Sequence, residues 1–505
     1  MKKLLKLLTN KIFVVGLIFI SELALILFFA ADLLFRYTWL YVLMMFISFF
    51  LVLWLVNKND DPMYALAWSI VILVFPPFGA IIYLLVGGRQ MPKKLREKIS
   101  ESYPYQVDDQ DADILQEIHQ IDPALHTQAN FVYNTAHYPI YRNLNAEYLE
   151  IGERKFERML EILEKAEKFI FLEYFIIKDG YMWQTTLEVL TRKVNEGVDV
   201  RLIYDDWGCA PFVELKKQCE AAGIKSVIFN PLVPRLAMQM NNRSHRKAVI
   251  VDGRYGIVGG INIADEYINR IVRFGHWKDT AVLIEGEAVY SLTLMFLQFY
   301  RYYTGIAENP ESYKYDFGRV PEGNGYVQPF ADAPTDGIDV GIEAHLNLIN
   351  NAKEYLYIQT PYLIIGHEMI QALCIAAKRG VDVRILVPHI PDKKIVFQGT
   401  KSNYEVLLEH GVKIYEYTPG FVHSKTMVSD DKISIVGTTN MDFRSYYMHF
   451  ECSLLFVDTQ VVSACYEDFI KTLDVSHEVT YTEIRSTAFI VKLFRATVRI
   501  FSGLL

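Results

Sequence analysis

One pattern occurs twice in this chain and constrains its fold more than any other feature. Residues 244–262 read SHRKAVIVDGRYGIVGGIN and residues 422–440 read VHSKTMVSDDKISIVGTTN. In both, a His is followed by a Lys two positions on, an Asp seven on and an Asn seventeen on: His245, Lys247, Asp252, Asn262, then His423, Lys425, Asp430, Asn440. On a strand, residues two apart share a face, so each His and Lys project together. The Asp falls at odd spacing beside turn residues, and a second apolar run follows (255–258, 433–436), which predicts a β-hairpin with the Asp near its bend. His245, Lys247, Asp252 and His423, Lys425, Asp430 are thus the candidate catalytic sets, each Asp expected to hold its hairpin and take little direct part in the chemistry.

The repeat extends beyond the motif. AEKFIFLEYFI, a helical stretch and GVDVRLIYDD (197–206) correspond to AKEYLYIQTPYLI, a helix and GVDVRILVP (380–388). The GVDVR segments lie 183 residues apart and the motif His 178 apart, so a domain has been duplicated with its register nearly kept. Each half alternates apolar strands with helices of 3.6-residue period, the pattern of an α/β unit with a covered sheet. Two such halves packed about a pseudo-two-fold axis bring both motifs to one interface.

At 505 residues and 51% apolar, the chain can bury two such cores and has residues to spare at its front. Three apolar runs, 12–34, 39–56 and 64–86, are each about long enough to span a bilayer, which takes ~20 residues. The first follows a Lys-rich start but lacks a small-x-small cleavage site, so it reads as retained. Glu22 lies near its middle and is expected to be protonated and bonded within the helix bundle, the alternative being a functional pocket. Lys2, Lys3, Lys6 and Lys11 precede the runs, and Arg89, Lys93, Lys94, Arg96 and Lys98 follow them, which places both ends in the cytoplasm and demands an even number of crossings. Pro76, Pro77 and Gly79 break the third run, so it is expected to form a re-entrant or interfacial hairpin, although its length also allows a span.

Residues 1–100 carry 11 Lys or Arg against 5 Asp or Glu, and the rest of the chain 40 against 54. So acidic a remainder argues against a nucleic-acid partner, which needs basic surface. The five cysteines show no CxxC or other metal spacing and read as reduced thiols. No cluster of ligand residues has metal spacing, and Asp205 with Asp206 reads as loop capping, so neither a metal nor a cofactor is expected. At the C-terminus Arg485, Lys492, Arg495 and Arg499 fall on one helix side, with Phe489, Leu493, Phe494, Ile500 and Phe501 mainly on the other. That amphipathicity suits an anionic membrane surface, or packing against the helix's own domain.

The paired motifs resemble the HKD motifs of the phospholipase D superfamily. The apolar segment LAWSIVILVFPPFGAIIYLLVGG, WKDT after the first motif and MDFRS after the second extend the likeness over nearly the whole chain, which is similar to bacterial-type cardiolipin synthases. Ser244 and His449 stand where that pattern leads one to expect Asn. The resemblance implies an α/β fold of two homologous phospholipase D-like α/β/α sandwich domains preceded by a membrane-helix region. The expected organisation is a membrane anchor at 1–99, a connector with a short helix at 100–137, a first domain at 138–305, a linker at 306–337, a second domain at 338–480 and a membrane-surface helix at 481–505.

Two imidazoles and two ammonium groups suit phosphodiester chemistry. One neutral His attacks phosphorus, the other protonates the leaving alkoxide, and a second alcohol opens the phosphohistidine. Lys247, Lys425, Asn262 and Asn440 are placed to bind the non-bridging oxygens. The resemblance points to Asp279 and Glu451 as the carboxylates that orient the histidines, and to His245 as nucleophile with His423 as acid/base, an order the symmetric spacing leaves open. It further implies transfer of a phosphatidyl group between two phosphatidylglycerols, giving cardiolipin and glycerol, by a multi-pass protein of the bacterial cell membrane with cytoplasmic catalytic domains. A phospholipase D hydrolase or head-group exchange enzyme uses the same motifs, and an inactive membrane scaffold is the reading from another class.

Overall fold

The computed structural model describes residues 11–58, 61–76, 78–87, 97, 110–142, 145–231, 241–318, 324–335 and 337–504. In the first half β1 (Asn145–Leu149), β2 (Phe169–Tyr174), β3 (Asp199–Asp205), β4 (Lys225–Phe229), β5 (Ala248–Val251), β6 (Tyr255–Gly259) and β7 (Ala281–Glu285) form one sheet, in the order β1-β7-β6-β5-β2-β3-β4. The second half contains β8 (Tyr326–Asp332), β9 (Tyr355–Gln359), β10 (Asp382–Pro388), β11 (Lys413–Tyr417), β12 (Thr426–Ser429), β13 (Ile433–Gly437) and β14 (Glu451–Val457). Their order, β8-β14-β13-β12-β9-β10-β11, is the same topology. This sheet is then widened to nine strands, by β15 (Ser476–Val479) beside β11 and by Tyr141–Arg142 beside β8.

Strands β2, β3 and β4 run parallel, as do β9, β10 and β11, and their apolar runs reflect cover on both faces. Helices Gly152–Glu164 and Tyr181–Asn195 pack together beside the first sheet, and Val289–Thr304 packs against β2, β4, β5 and β6. That last helix also reaches β8 of the other half, while Gln460–Leu473, its counterpart, reaches β1. Reciprocal seating of this kind fuses the two halves: one apolar cluster holds Ile250 and Phe296 of the first with Phe330 and Ile358 of the second.

Several segments differ from the sequence expectation. Where 100–137 reads as a connector with a short helix, two helices, Ala112–Ile121 and Pro123–Ala136, bury Ile118, Ala129 and Val132 in the shared core. Gln328 Nε2 ties them to the second sheet by donating to Ala129 O (3.0 Å) and Tyr138 O (2.8 Å). The Pro- and Gly-rich stretch 306–337 contains β8, a fully buried strand disguised by Pro329. Only Tyr326 and Val327 pair with Tyr141–Arg142, so Pro329 lies where β8 has no second neighbour and its missing N–H breaks no ladder. Tyr141–Arg142, within the span read as the first domain, belongs to the second sheet.

At the front, Gly16–Leu33 and Thr38–Asn57 are long and apolar enough to cross a membrane. The third run is two helices, Pro62–Val74 and Phe78–Val86, each shorter than a span and folded on one another. A Cβ at Gly79 would lie 2.3 Å from Val71 O, so only glycine permits the approach. Trp68, Ile72, Ala80 and Tyr83 pack with Leu55 of the preceding helix and with Phe443 and Met448 of the second half, and Tyr64 stacks on Phe443 (5.5 Å). The Glu22 side chain and the basic residues at 2–6 and 89–96 lie outside the described residues, as does Pro77. All five cysteines are buried free thiols.

Candidate active site

β5 is antiparallel to β2 with Ala248 opposite Glu173, which puts His245 and Lys247 just beyond the C-terminal end of β2, the end at which α/β sheets receive ligands. The chain leading to each motif is stitched to the other half. Ser244 bridges Phe450, and His245 N donates to Phe450 O (2.9 Å). Likewise Gly420–Val422 pairs in parallel with His276–Lys278, and His423 N donates to Lys278 O (2.6 Å). The residue after each acceptor carries a carboxylate, so the carboxylate–histidine pairs are crossed. His245 Nδ1 is 3.0 Å from both oxygens of Glu451, and His423 Nδ1 is 2.6 Å from Asp279 Oδ2. Both carboxylates are fully buried. A ring that donates through Nδ1 leaves the Nε2 lone pair for the substrate.

Burial dominates the electrostatics. It lowers His245 well below its ordinary value and, with Lys425 adding repulsion, brings His423 down to about 4. It brings Lys247 to about 7 and Lys425 to about 8, Glu451 and Asp279 pulling the other way in each. Both lysines interact with both carboxylates, so the two motifs share one electrostatic site. Burial opposes ionisation of Glu451 too, but His245, His449 and Lys247 hold its carboxyl well below the usual range. Each Lys Nζ donates to the backbone carbonyl of its own motif His.

The two pairs differ in detail. Glu451 also accepts from Thr438 Oγ1 and Ser445 Oγ, each at 2.5 Å, and His449 Nδ1 lies 3.8 Å from it. Asp279 accepts one further bond, from Thr280 N (2.8 Å). Thr438 and Ser445, in GTTN and MDFRS, were not singled out by spacing, since neither has a counterpart in the first motif's pattern.

Asp252 and Asp430, grouped with the catalytic sets by their spacing, are not brought to this site. They occupy the opposite end of the strand, where the Asp252 carboxylate accepts from the backbone N–H of Glu167, Lys168 and Phe169, and that of Asp430 from Lys353, Glu354 and Tyr355. In both hairpins the two central turn residues have positive φ: Asp252 and Gly253, Asp430 and Asp431. Asn262 is engaged within its own half, accepting from Ile176 N (2.9 Å) and donating to Tyr267 OH (2.7 Å). Asn440 Oδ1 is buried with no hydrogen-bond partner among the described residues, so the two asparagines are not equivalent. Among the described residues one trio has ligand atoms close enough to hold a metal ion: His245, His449 and Glu451, within 4.8 Å of one another.

Two copies of one α/β domain, meeting across crossed His–carboxylate pairs and two buried lysines, define a phospholipase D-like enzyme. The family model described as "Cardiolipin synthase, PLD-like domain" matches residues 159–290 and 345–473, and one described as "Phospholipase_D-nuclease N-terminal" matches 46–88. A cardiolipin synthase of Halalkalibacterium halodurans is 34% identical over 457 residues, covering 89% of this chain and 90% of its own. One of Alkalihalophilus pseudofirmus is 34% identical over 456 residues, with the same coverage. In fold, the chain is similar to a phosphatidylserine synthase of Haemophilus influenzae, with a TM-score of 0.57 at 15% identity over 75% of this chain and 100% of that one. The chain belongs to the cardiolipin synthase, PLD-like family, and is an enzyme of the phosphatidyltransferase class.

Proposed function

We propose that this enzyme transfers a phosphatidyl group from one phosphatidylglycerol to another through a phosphohistidine, giving cardiolipin and glycerol. His245 Nε2 attacks phosphorus, the bond from phosphorus to the glycerol oxygen breaks, and His423 gives that oxygen its proton. The second phosphatidylglycerol then yields its hydroxyl proton to His423 and attacks phosphorus, breaking the P–N bond and freeing His245. Lys247 and Lys425, protonated as the anionic phosphodiester arrives, balance the charge on its non-bridging oxygens. The buried His245 and His423 sit in a site that restricts water, which favours an alcohol acceptor.

The crossed pairs carry this reading, and their inequality supports the order of roles. Asp279 concentrates its charge on His423 at 2.6 Å, whereas Glu451 shares its charge with two hydroxyls and meets His245 at 3.0 Å. The carboxylate with fewer donors better supports an imidazolium, so of two imidazoles that burial holds neutral it is His423 that takes up a proton as the anionic phosphodiester arrives and then donates it, while His245 stays neutral. The exposed Phe489, Ile490, Leu493 and Phe494 of helix Phe489–Ile500 support contact with an anionic bilayer, while Val498 and a bond from Arg495 Nε to Gln398 Oε1 (2.9 Å) fix its other face to the protein. With two crossings and a short hairpin that does not cross, both ends of the membrane region lie on one side, and the basic residues that flank the apolar runs support the cytoplasmic side for those ends and for the catalytic domains.

Purified protein in mixed micelles with chelator and phosphatidylglycerol alone should yield cardiolipin with matching glycerol by mass spectrometry. Phosphatidic acid instead establishes a hydrolase, and no product removes phosphatidylglycerol as donor. His423→Ala should accumulate phosphoenzyme that His245→Ala cannot form, and the reverse result exchanges the two roles.

A further inference from the structure

Between β6 and His276–Lys278 the loop at 264–275 holds two branched apolar side chains out of the protein: Ile271 is 55% exposed and Val272 79%. The base of the loop is fixed. Asn269 Oδ1 accepts from Trp277 N (2.7 Å) and its Nδ2 donates to Trp277 O (3.0 Å), while Arg270 N donates to Asp265 O (3.1 Å). Gly275, at φ +73°, seats against the second half, where a Cβ would lie 2.4 Å from Pro419 O and 3.1 Å from Ile390 Cδ1. A loop free to collapse would bury its apolar tip. This one is bonded in a form that keeps the tip outside.

The chain leaving the tip leads to the reacting groups. Phe274 packs on Phe421 (5.9 Å) and Trp277 (6.2 Å), and Trp277 lies 5.5 Å from the His423 ring. Ile390, which faces Gly275 at the base of the loop, is itself exposed, as is Ile395 on helix Lys394–Ser402, against which Phe489–Ile500 packs. The membrane region meets the catalytic domains through Phe443 and Met448, next in the chain to Asp442 and His449, and helix Pro62–Val74 also touches helix Phe489–Ile500. Arg270, over the Tyr181 ring at 3.8 Å, and Arg273, bonded to Glu266 (3.1 Å), flank the tip where guanidinium groups can meet phosphate head groups while the aliphatic tip goes deeper.

We propose that residues 270–273 are a membrane-inserting finger, which seats the mouth of the catalytic cleft on the bilayer so that a phosphodiester reaches His423 without leaving the head-group layer. The finger supplies the first domain's contact and helix Phe489–Ile500 the second's. The inference rests on the reading of a membrane lipid as substrate, and its test separates the two.

Because the native thiols are all buried, an environment-sensitive fluorophore can be placed on Val272→Cys in the full chain, with Lys471→Cys, on helix Gln460–Leu473, as control. In phosphatidylglycerol vesicles with brominated acyl chains, the label at 272 should be quenched and that at 471 not. An unquenched label at 272, or a disulfide from Val272→Cys to a second copy of the chain, overturns the finger. The double variant Ile271→Asp/Val272→Asp should lose at least tenfold of its turnover on vesicles and none on short-chain monomeric phosphatidylglycerol; equal loss on both overturns it as well. If the wild-type protein makes no cardiolipin, the substrate reading fails, and the quenching still decides the finger.

Discussion

Asp279 and Glu451 are separated by sequence from the histidines they serve, and each works on the ring that the other half provides. With Asn at 279 the amide still bonds His423 but no longer supports an imidazolium, so Asp279→Asn should cut turnover by roughly 10⁴-fold with the fold intact, measured by initial rates and circular dichroism. The lysines set the pH response. Held down to about 7 and about 8 by burial, Lys247 and Lys425 lose their protons as pH rises through that window, and with them the attraction for a phosphodiester. kcat/KM should therefore fall from pH 7 upward, and Lys247→Arg, which keeps its charge throughout, should move the falling limb to higher pH. At this scale the His and Lys positions were legible because the pattern occurs twice in register, and the i, i+2 rule said that each pair shares a face. The hydroxyls of Thr438 and Ser445, and the engagement of Asn262 by Ile176 and Tyr267, were not, since nothing in local spacing says which side chains a fold turns toward each other.

The hairpin is the repeated element, and its bend is an Asp in the left-handed region that gathers three backbone N–H groups from the start of the neighbouring strand. Asp430→Ala should cost about 2 kcal/mol, from lost charge-assisted bonds and the strain of a Cβ at positive φ, and leave turnover per folded molecule unchanged, as read from denaturant melts and rates. The alternation of apolar residues and the DG and DD turns made these hairpins readable. Strand β8 was hidden because Pro329 and the surrounding Gly and Asp imitate a linker, and the proline is harmless because it lies past the short pairing with Tyr141–Arg142. The helices at 112–136 read as a connector because their apolar faces are narrow; their burial comes from a sheet some two hundred residues further along the chain, as when Gln328 Nε2 donates to Ala129 O across 199 positions.

Across the whole molecule the two halves are locked by a buried ion pair that lies beside the site. Lys278 Nζ donates to Asp468 Oδ1 (2.7 Å), to Asp468 Oδ2 (2.8 Å) and to Glu150 O (2.7 Å), and Lys278 immediately precedes Asp279. Asp468→Ala leaves that ammonium buried without its carboxylate and should destabilise the protein by about 3–5 kcal/mol, with a fall in kcat greater than any rise in KM because the Asp279–His423 pair is displaced. Denaturant unfolding and steady-state kinetics check the two effects. The duplication is written in the chain as two like stretches in register, and the strand and helix periods, the hairpin turns and the apolar front could be read because each depends on residues within a few positions of one another. Only in the folded chain is it settled that the carboxylate pairs are crossed, that two strands outside the repeat widen the second sheet and two helices pack beside it, and that an apolar loop stands out near the catalytic cleft. Those features arise where surfaces far apart in the chain meet, and burial and contact there depend on the whole packing, which no local pattern encodes.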